Sequence, residues 1–259
     1  MQSKSVWRCT TLLAAIASLL ISSNARAAAV NFTIDPALSQ ITLTGFVQFG
    51  AIQLPLAPQV SGADIGNVTS YSGLITVDVD NPFAPTTIQA LGSSATAAIS
   101  GNWVPQADGG PAPGNPGVPQ PANYGVGVSL GAASAVGAAR NVVFDVTSGA
   151  EAVVGGLFAS NQTLTFTTGS FAFNTPVSTP GAEDLAGVST TNAGAPSSYT
   201  VVGSLATLII PFSGTYVDGD LTSNYSGQLV ATALVPEPAS MVLIGTMLMG
   251  LAMAARRQR

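Results

Sequence analysis

The side chains nearest to a site in this chain are oxygen donors. Asp218, Asp220, Thr222 and Asn224 stand at alternate positions, and Asp78, Asp80 and Asn81 close an apolar run. Calcium takes roughly six to eight oxygen ligands from clusters of this kind. Asp78, Asp80, Asp218 and Asp220 are therefore the calcium candidates, and no other cofactor is expected. The second run departs from a helix-loop-helix calcium loop, with Ser223 where that loop needs glycine and Leu229 where it needs glutamate. It reads more simply as a hairpin turn at Asp218-Gly219, and Asn81-Pro82 reads as a second turn. Glu183-Asp184 supplies two adjacent carboxylates, whereas glycoside hydrolysis needs two carboxyls on opposite sides of a bond. Arg140 has Asp145 and Glu151 as possible partners. Trp103 and Tyr124 flank a proline-rich stretch, either as a platform for sugar stacking or as pins that hold the stretch to the core.

Absences bound the chemistry further. The chain has no histidine, and its single cysteine is Cys9. Between Ala28 and Val235 there is no lysine, and Arg140 stands against eleven carboxylates, a net charge of −10. Zinc sites of the usual kind, structural disulfides and Ser-His-Asp or Cys-His catalysis are excluded. So are a phosphate-binding Walker loop and a Schiff base, both of which need lysine. A body this acidic is a poor partner for nucleic acid, because phosphate neutralisation needs cations. The inventory suits hydrogen bonding to polysaccharide or a passive surface role, and no enzyme activity is expected.

The elements that must position these groups read as strands. In Gln40 to Phe49, Ile41, Leu43, Val47 and Phe49 alternate with Gln40, Thr42, Thr44 and Gln48. Tyr71 to Asp80 is a second strand. Arg140 to Val146, Glu151 to Phe158, Gln162 to Phe173, Tyr199 to Phe212 and Leu221 to Ala233 complete the set. No segment of the body has a helical period with caps. Residues 104–123, rich in proline and glycine, and residues 174–198, rich in Thr, Ser, Gly, Ala and Pro, are expected to be long loops. The expectation is an all-β fold over residues 28–234, a single β-sandwich or barrel-like domain.

Both ends carry targeting features. Lys4 and Arg8 precede an apolar stretch from Thr11 to Ile21, and Ala25-Arg26-Ala27 places small residues two apart. This is a signal-peptide pattern over residues 1–27, with cleavage by signal peptidase after Ala27. At the other end come Pro236-Glu237-Pro238, an uncharged stretch from Ala239 to Ala255, and then Arg256, Arg257 and Arg259. Seventeen residues at about 1.5 Å each span roughly 25 Å as a helix, near the lower limit for a bilayer. The arginines act as a stop on the cytoplasmic side.

This order of motif, apolar helix and basic end over residues 235–259 resembles the PEP-CTERM sorting signal of Gram-negative bacteria. The resemblance implies transient membrane insertion, cleavage by an exosortase, and delivery to the cell surface or an extracellular matrix. It also implies an association with exopolysaccharide and biofilm, and so a structural or adhesive role. A second resemblance is carried by Phe32-Thr-Ile-Asp-Pro-Ala-Leu-Ser39 and Tyr71-Ser-Gly-Leu-Ile-Thr-Val-Asp78. These look like the opening of the periplasmic polyisoprenoid-binding barrel family. That likeness implies a lipid-binding β-barrel with Phe46, Phe49, Ile75, Phe144 and Phe166 around a cavity. A carboxylate-based glycan hydrolase is the third reading.

Overall fold

The computed structural model describes residues 28–58, 66–103, 120–130, 133–174, 181–235 and 247. The signal-peptide residues, including Ala25 and Ala27, lie outside them. So do Pro236, Glu237, Pro238, all of the apolar segment but Met247, and Arg256, Arg257 and Arg259. Among the described residues no helix is long and apolar enough to cross a membrane.

The body is all-β. In chain order its strands are β1 (Ala28–Ile34), β2 (Gln40–Phe49), β3 (Ile52–Pro55), β4 (Ala57–Pro58), β5 (Val68–Val79), β6 (Thr87–Ser93) and β7 (Ala95–Ala97). Then come β8 (Gly101–Trp103), β9 (Gln120–Ala122), β10 (Tyr124–Leu130), β11 (Ala133–Thr147), β12 (Glu151–Ala152), β13 (Leu157–Phe158) and β14 (Thr163–Asn174). The last five are β15 (Gly181–Asp184), β16 (Ser189–Thr191), β17 (Ser197–Val202), β18 (Leu205–Asp218) and β19 (Leu221–Leu234).

The pairing closes on itself, which makes the sheet barrel-like. β1 and β2 run in line between β19 on one edge and β5 on the other. β5 passes to β6 and β7, which also run in line, and β7 passes to β11. β11 pairs with β10, β10 with β4, and β3, just before β4, returns to β2. Closure removes the unpaired edges that invite association with other chains. Two wings extend from this ring. One is β14 with β15 and β16, on the far edge of β11. The other is β18 and β17, beyond β19.

Alternation drives the strands and burial holds them. Val77, Val79, Phe32 and Ile34 are buried from β5 and β1, and Leu208, Ile210, Phe212 and Leu229 from β18 and β19. All belong to one core. Each such side chain contributes about 1.5–3 kcal/mol relative to exposure. Where the ladder breaks, polar side chains close it. The Asp35–Ser39 turn interrupts β1 and β2, and the Ser39 hydroxyl donates to Val230 O (3.1 Å) and accepts from Val230 N (2.9 Å). The wings are joined by buried Asn192. Its amide donates to Gln162 Oε1 (3.0 Å) and Pro211 O (2.7 Å), and its oxygen accepts from Gly194 N and Ser213 N.

Several expected boundaries shift. The expected loop at 174–198 contains β15, β16 and the start of β17. These are three to six residues long, too short to display alternation, and they form by pairing with β14 and β18. Tyr199 to Phe212 is a hairpin, turned at Gly203 with φ +62 and closed by Val202 opposite Leu205. Glu151 to Phe158 divides into two short strands around Gly155 and Gly156, both at positive φ. Within the expected loop 104–123, residues 120–122 form β9 against β8, and 104–119 lie outside the described residues.

Candidate functional site

A cavity of about 130 Å³ opens between β2 and β19 on one side and β11 and β14 on the other, and its lining is almost wholly apolar. Ile41 and Leu43 of β2 and Leu221 of β19 form one wall. Val142 and Phe144 of β11 and Leu164, Phe166 and Phe171 of β14 form the other. Tyr71 and Tyr124 sit among them, and Glu183, Thr190, Tyr216, Ser223 and Tyr225 supply the few polar groups.

A bulge in β11 aims the second wall. The register with β14 shifts between Arg140 and Val143, and Asn141 there has φ +52. One extra residue moves the inward positions from Ala139 to Val142 and Phe144, where strict alternation would turn both outward. Buried Asn123 secures the bulge. Its side-chain oxygen accepts from Val142 N at 2.9 Å, and its amide donates to Ala97 O (3.0 Å) and Ala98 O (2.9 Å). β14 kinks opposite, at Gly169 with φ +145, and Leu185 packs against that kink. The Leu185–Val188 turn is tied to β14 by Phe166 N to Val188 O (2.9 Å) and Gly187 N to Phe166 O (2.8 Å). Leu185 and Val188 thereby join the lining.

Two rings lie over glycines. A Cβ at Gly137 would sit 2.6 Å from the Phe171 ring, and one at Gly214 would sit 2.0 Å from the Tyr225 hydroxyl. Glycine at these positions lets the rings lie flat across the neighbouring strand. Tyr225 then reaches Thr190, with their hydroxyls 2.8 Å apart.

The polar centre of the cavity is the pair Tyr71 and Tyr124, whose hydroxyls are 2.6 Å apart. Both residues are more than nine-tenths buried, at 3 % and 6 % exposure. Burial pushes both phenols well above the ordinary tyrosine value, so they are neutral donors throughout the physiological range. Sequence reading missed this pair. The two residues are 53 positions apart, and only barrel closure brings them together.

The sequence-derived candidates fall elsewhere. Asp80 clamps a turn: it accepts from Thr86 Oγ1 (2.5 Å), Thr86 N (2.9 Å), Thr87 N (3.1 Å) and Asn81 N (2.9 Å). The Thr86 hydroxyl, helped by those backbone N–H groups, holds its carboxyl below the usual range. Asp78 pairs with Ala29 and Gln89 in mid-sheet. The hairpin closes at Asp218 opposite Leu221, with Gly219 at φ +52, and Asp220 O accepts from Gln48 N at 2.7 Å. Among the described residues, no three of the His, Cys, Asp and Glu side chains come together as a metal site. Arg140 donates to Pro121 O (3.0 Å) and Gln120 Oε1 (3.1 Å), not to the expected carboxylates. Asp145 instead accepts from Ser93 N, and Glu151 from Asn161. Trp103 is fully buried over Ala122, Ala138 and Ala172, so it offers no face to a sugar and pins β8 and β9 to the sheet. Of the apolar set expected around a cavity, Phe144 and Phe166 line it. Ile75 is buried in the core away from it, Phe46 is outside the lining, and the Phe49 side chain is outside the described residues.

No family model, curated protein or solved structure matches the chain. Function must therefore be argued from its own residues.

The Asp80 clamp has a pH signature. Because the native carboxyl titrates below the ordinary value of 3.8, the stability it lends is present above 3.8 and is lost as pH falls through the lowered native value. Asp80→Asn is expected to lower the unfolding midpoint at pH 7 and to narrow its gap to wild type as pH falls below 3.8. Thermal unfolding followed from pH 7 to pH 2 checks this. A gap that is constant with pH would rule out the charged clamp.

Proposed function

We propose that this chain is an exported surface or extracellular-matrix protein, released from a transient membrane anchor by an exosortase-type peptidase, with an adhesive or structural β body rather than an enzyme. The observation that carries this reading is the order of Pro236-Glu237-Pro238, the uncharged run Ala239 to Ala255, and the terminal arginines. Together with the signal-peptide pattern at residues 1–27, it describes a chain that is secreted, held briefly and cut. The body supports a non-catalytic role. Its net charge of −10 keeps it soluble and repels other acidic surfaces. Among the carboxylates of the described residues, Glu183 alone lines the cavity, whereas a glycosidase cleft needs two.

Mass spectrometry of the protein from cells and from shed matrix tests this reading. Wild type is expected to begin near Ala28, to end near Glu237, and to reside in the matrix. Glu237→Ala is expected to keep its tail and stay in the membrane fraction. A matrix form that retains Arg259 would overturn the proposal.

The apolar cavity favours a second reading, in which the body also binds a hydrophobic ligand. At about 130 Å³ it is close to the roughly 150 Å³ void that accepts benzene in an engineered protein core. That volume suits one ring or a short chain. A long polyisoprenoid would leave most of its length outside.

A further inference from the structure

Tyr71 and Tyr124 carry two O–H hydrogens between them. Their single contact at 2.6 Å uses one, with either phenol as donor. The other hydrogen has no acceptor among the described residues. A buried hydroxyl hydrogen without a partner costs about 1–3 kcal/mol. Both rings line the cavity, so an acceptor atom placed there would remove that cost.

The same surroundings select the rest of the ligand. Among the described residues no lysine, arginine or histidine lines the cavity, and the charged residue that does is Glu183. A carboxylate or phosphate would be buried without a counter-charge and beside a negative one, which is costly. The acceptor is therefore a neutral oxygen: a ketone, ester or ether. The remaining walls are aliphatic and aromatic, and the volume holds about one ring with a short substituent.

We infer that the cavity is a binding site for a small neutral molecule with an apolar body about one ring in size and one acceptor oxygen, which takes the spare hydrogen of the Tyr71–Tyr124 pair. This rests on the apolar-ligand reading and adds to it the chemical class and the recognising group.

The test uses two isosteric probes, acetophenone and α-methylstyrene, which differ by C=O against C=CH2. Binding to the full chain in amphipol is measured by calorimetry, for wild type and for Y71F/Y124F. Removing both partners of a hydrogen bond together is close to neutral for folding, so the double variant should keep its structure. The ketone-to-alkene affinity ratio is expected to be about tenfold higher in wild type than in the variant. Partition into the carrier cancels in that comparison. Ala139→Leu, which fills the cavity, is expected to abolish binding of both probes. If neither probe binds wild type, the apolar-ligand reading fails. If both bind with the same ratio in wild type and variant, the cavity stands and the tyrosine assignment falls. The carbonyl stretch of acetophenone bound to wild type gives a check free of any variant. A shift to lower frequency supports the hydrogen bond, and an unshifted band refutes it.

Discussion

Phe144→Ala is expected to lower the stability of the β body by about 3–5 kcal/mol, near the top of the range for a buried ring. Phe144 is 2 % exposed and sits where the sheet elements meet. On β11 it pairs with Ala95 on one edge and Phe166 on the other. Its ring packs tilted on Tyr71 (5.0 Å) and edge-on to Phe166 (6.4 Å) and Phe212 (6.1 Å). Truncation would join the space it leaves to the existing cavity. The neighbours cannot collapse into it, because Tyr71 is tied to Tyr124 and the β11 bulge is tied to Asn123. The cost should therefore approach the full cavity penalty, a third or more of the roughly 5–15 kcal/mol that a domain possesses. Urea unfolding of wild type, Phe144→Ala and Phe144→Leu, followed by far-ultraviolet circular dichroism, measures it. Leu should lose less than half as much as Ala. A loss under about 1 kcal/mol for Ala would mean that these rings do not form a packed junction.

The same residue shows what a sequence can disclose. Phe144 and Phe166 are expected around a cavity through the barrel-family resemblance, and the alternation of Val142, Phe144 and Val146, and then of Leu164 and Phe166, is the local pattern that agrees with it. β2 was legible to its limits by alternation alone. Such alternation is a local property and needs no partner. The cavity needs more than local pattern. Its shape depends on an extra residue at Asn141, on glycines that leave room for Phe171 and Tyr225, and on closure of β3 and β4 across to β10. Each is a relation between segments far apart in the chain. Glycine inside an alternating run was the available signal. Gly45, Gly73 and Gly169 all interrupt strands at positive φ, and such glycines mark bends or close approaches. The carboxylates read first as turn formers, at Asp218-Gly219 and before Asn81-Pro82, because Asp-Gly and Asn-Pro are local turn signals. The hairpin closes at Asp218, and Asp80 spends its oxygens on its own turn.

Gly73→Ala is the second large effect, expected to cost about 2–6 kcal/mol from backbone strain and overpacking together. Gly73 is the point at which β5 changes partners on both edges. Before it, β5 pairs with β2 and β7; from it onward, with β1 and β6. The strand bends there at φ +126, a conformation that L side chains rarely adopt. A Cβ would lie 1.9 Å from Ser94 O, a backbone atom whose residue is itself held by Ser94 N to Leu74 O at 2.9 Å. The oxygen cannot yield without opening the junction of β6 and β7. Tyr71 lies two residues earlier, so relief of the clash would also displace the phenol pair. Gly149→Ala is the matched control, because its Cβ would meet nothing within 4 Å and its φ is not in the positive range. That change is expected to be neutral or to stabilise by up to about 1 kcal/mol, through the unfolded chain. Chemical denaturation of both variants separates the cases. If Gly73→Ala unfolds at the same denaturant concentration as Gly149→Ala, then β5 does not turn through this bend, and the barrel closure that forms the cavity must be drawn differently.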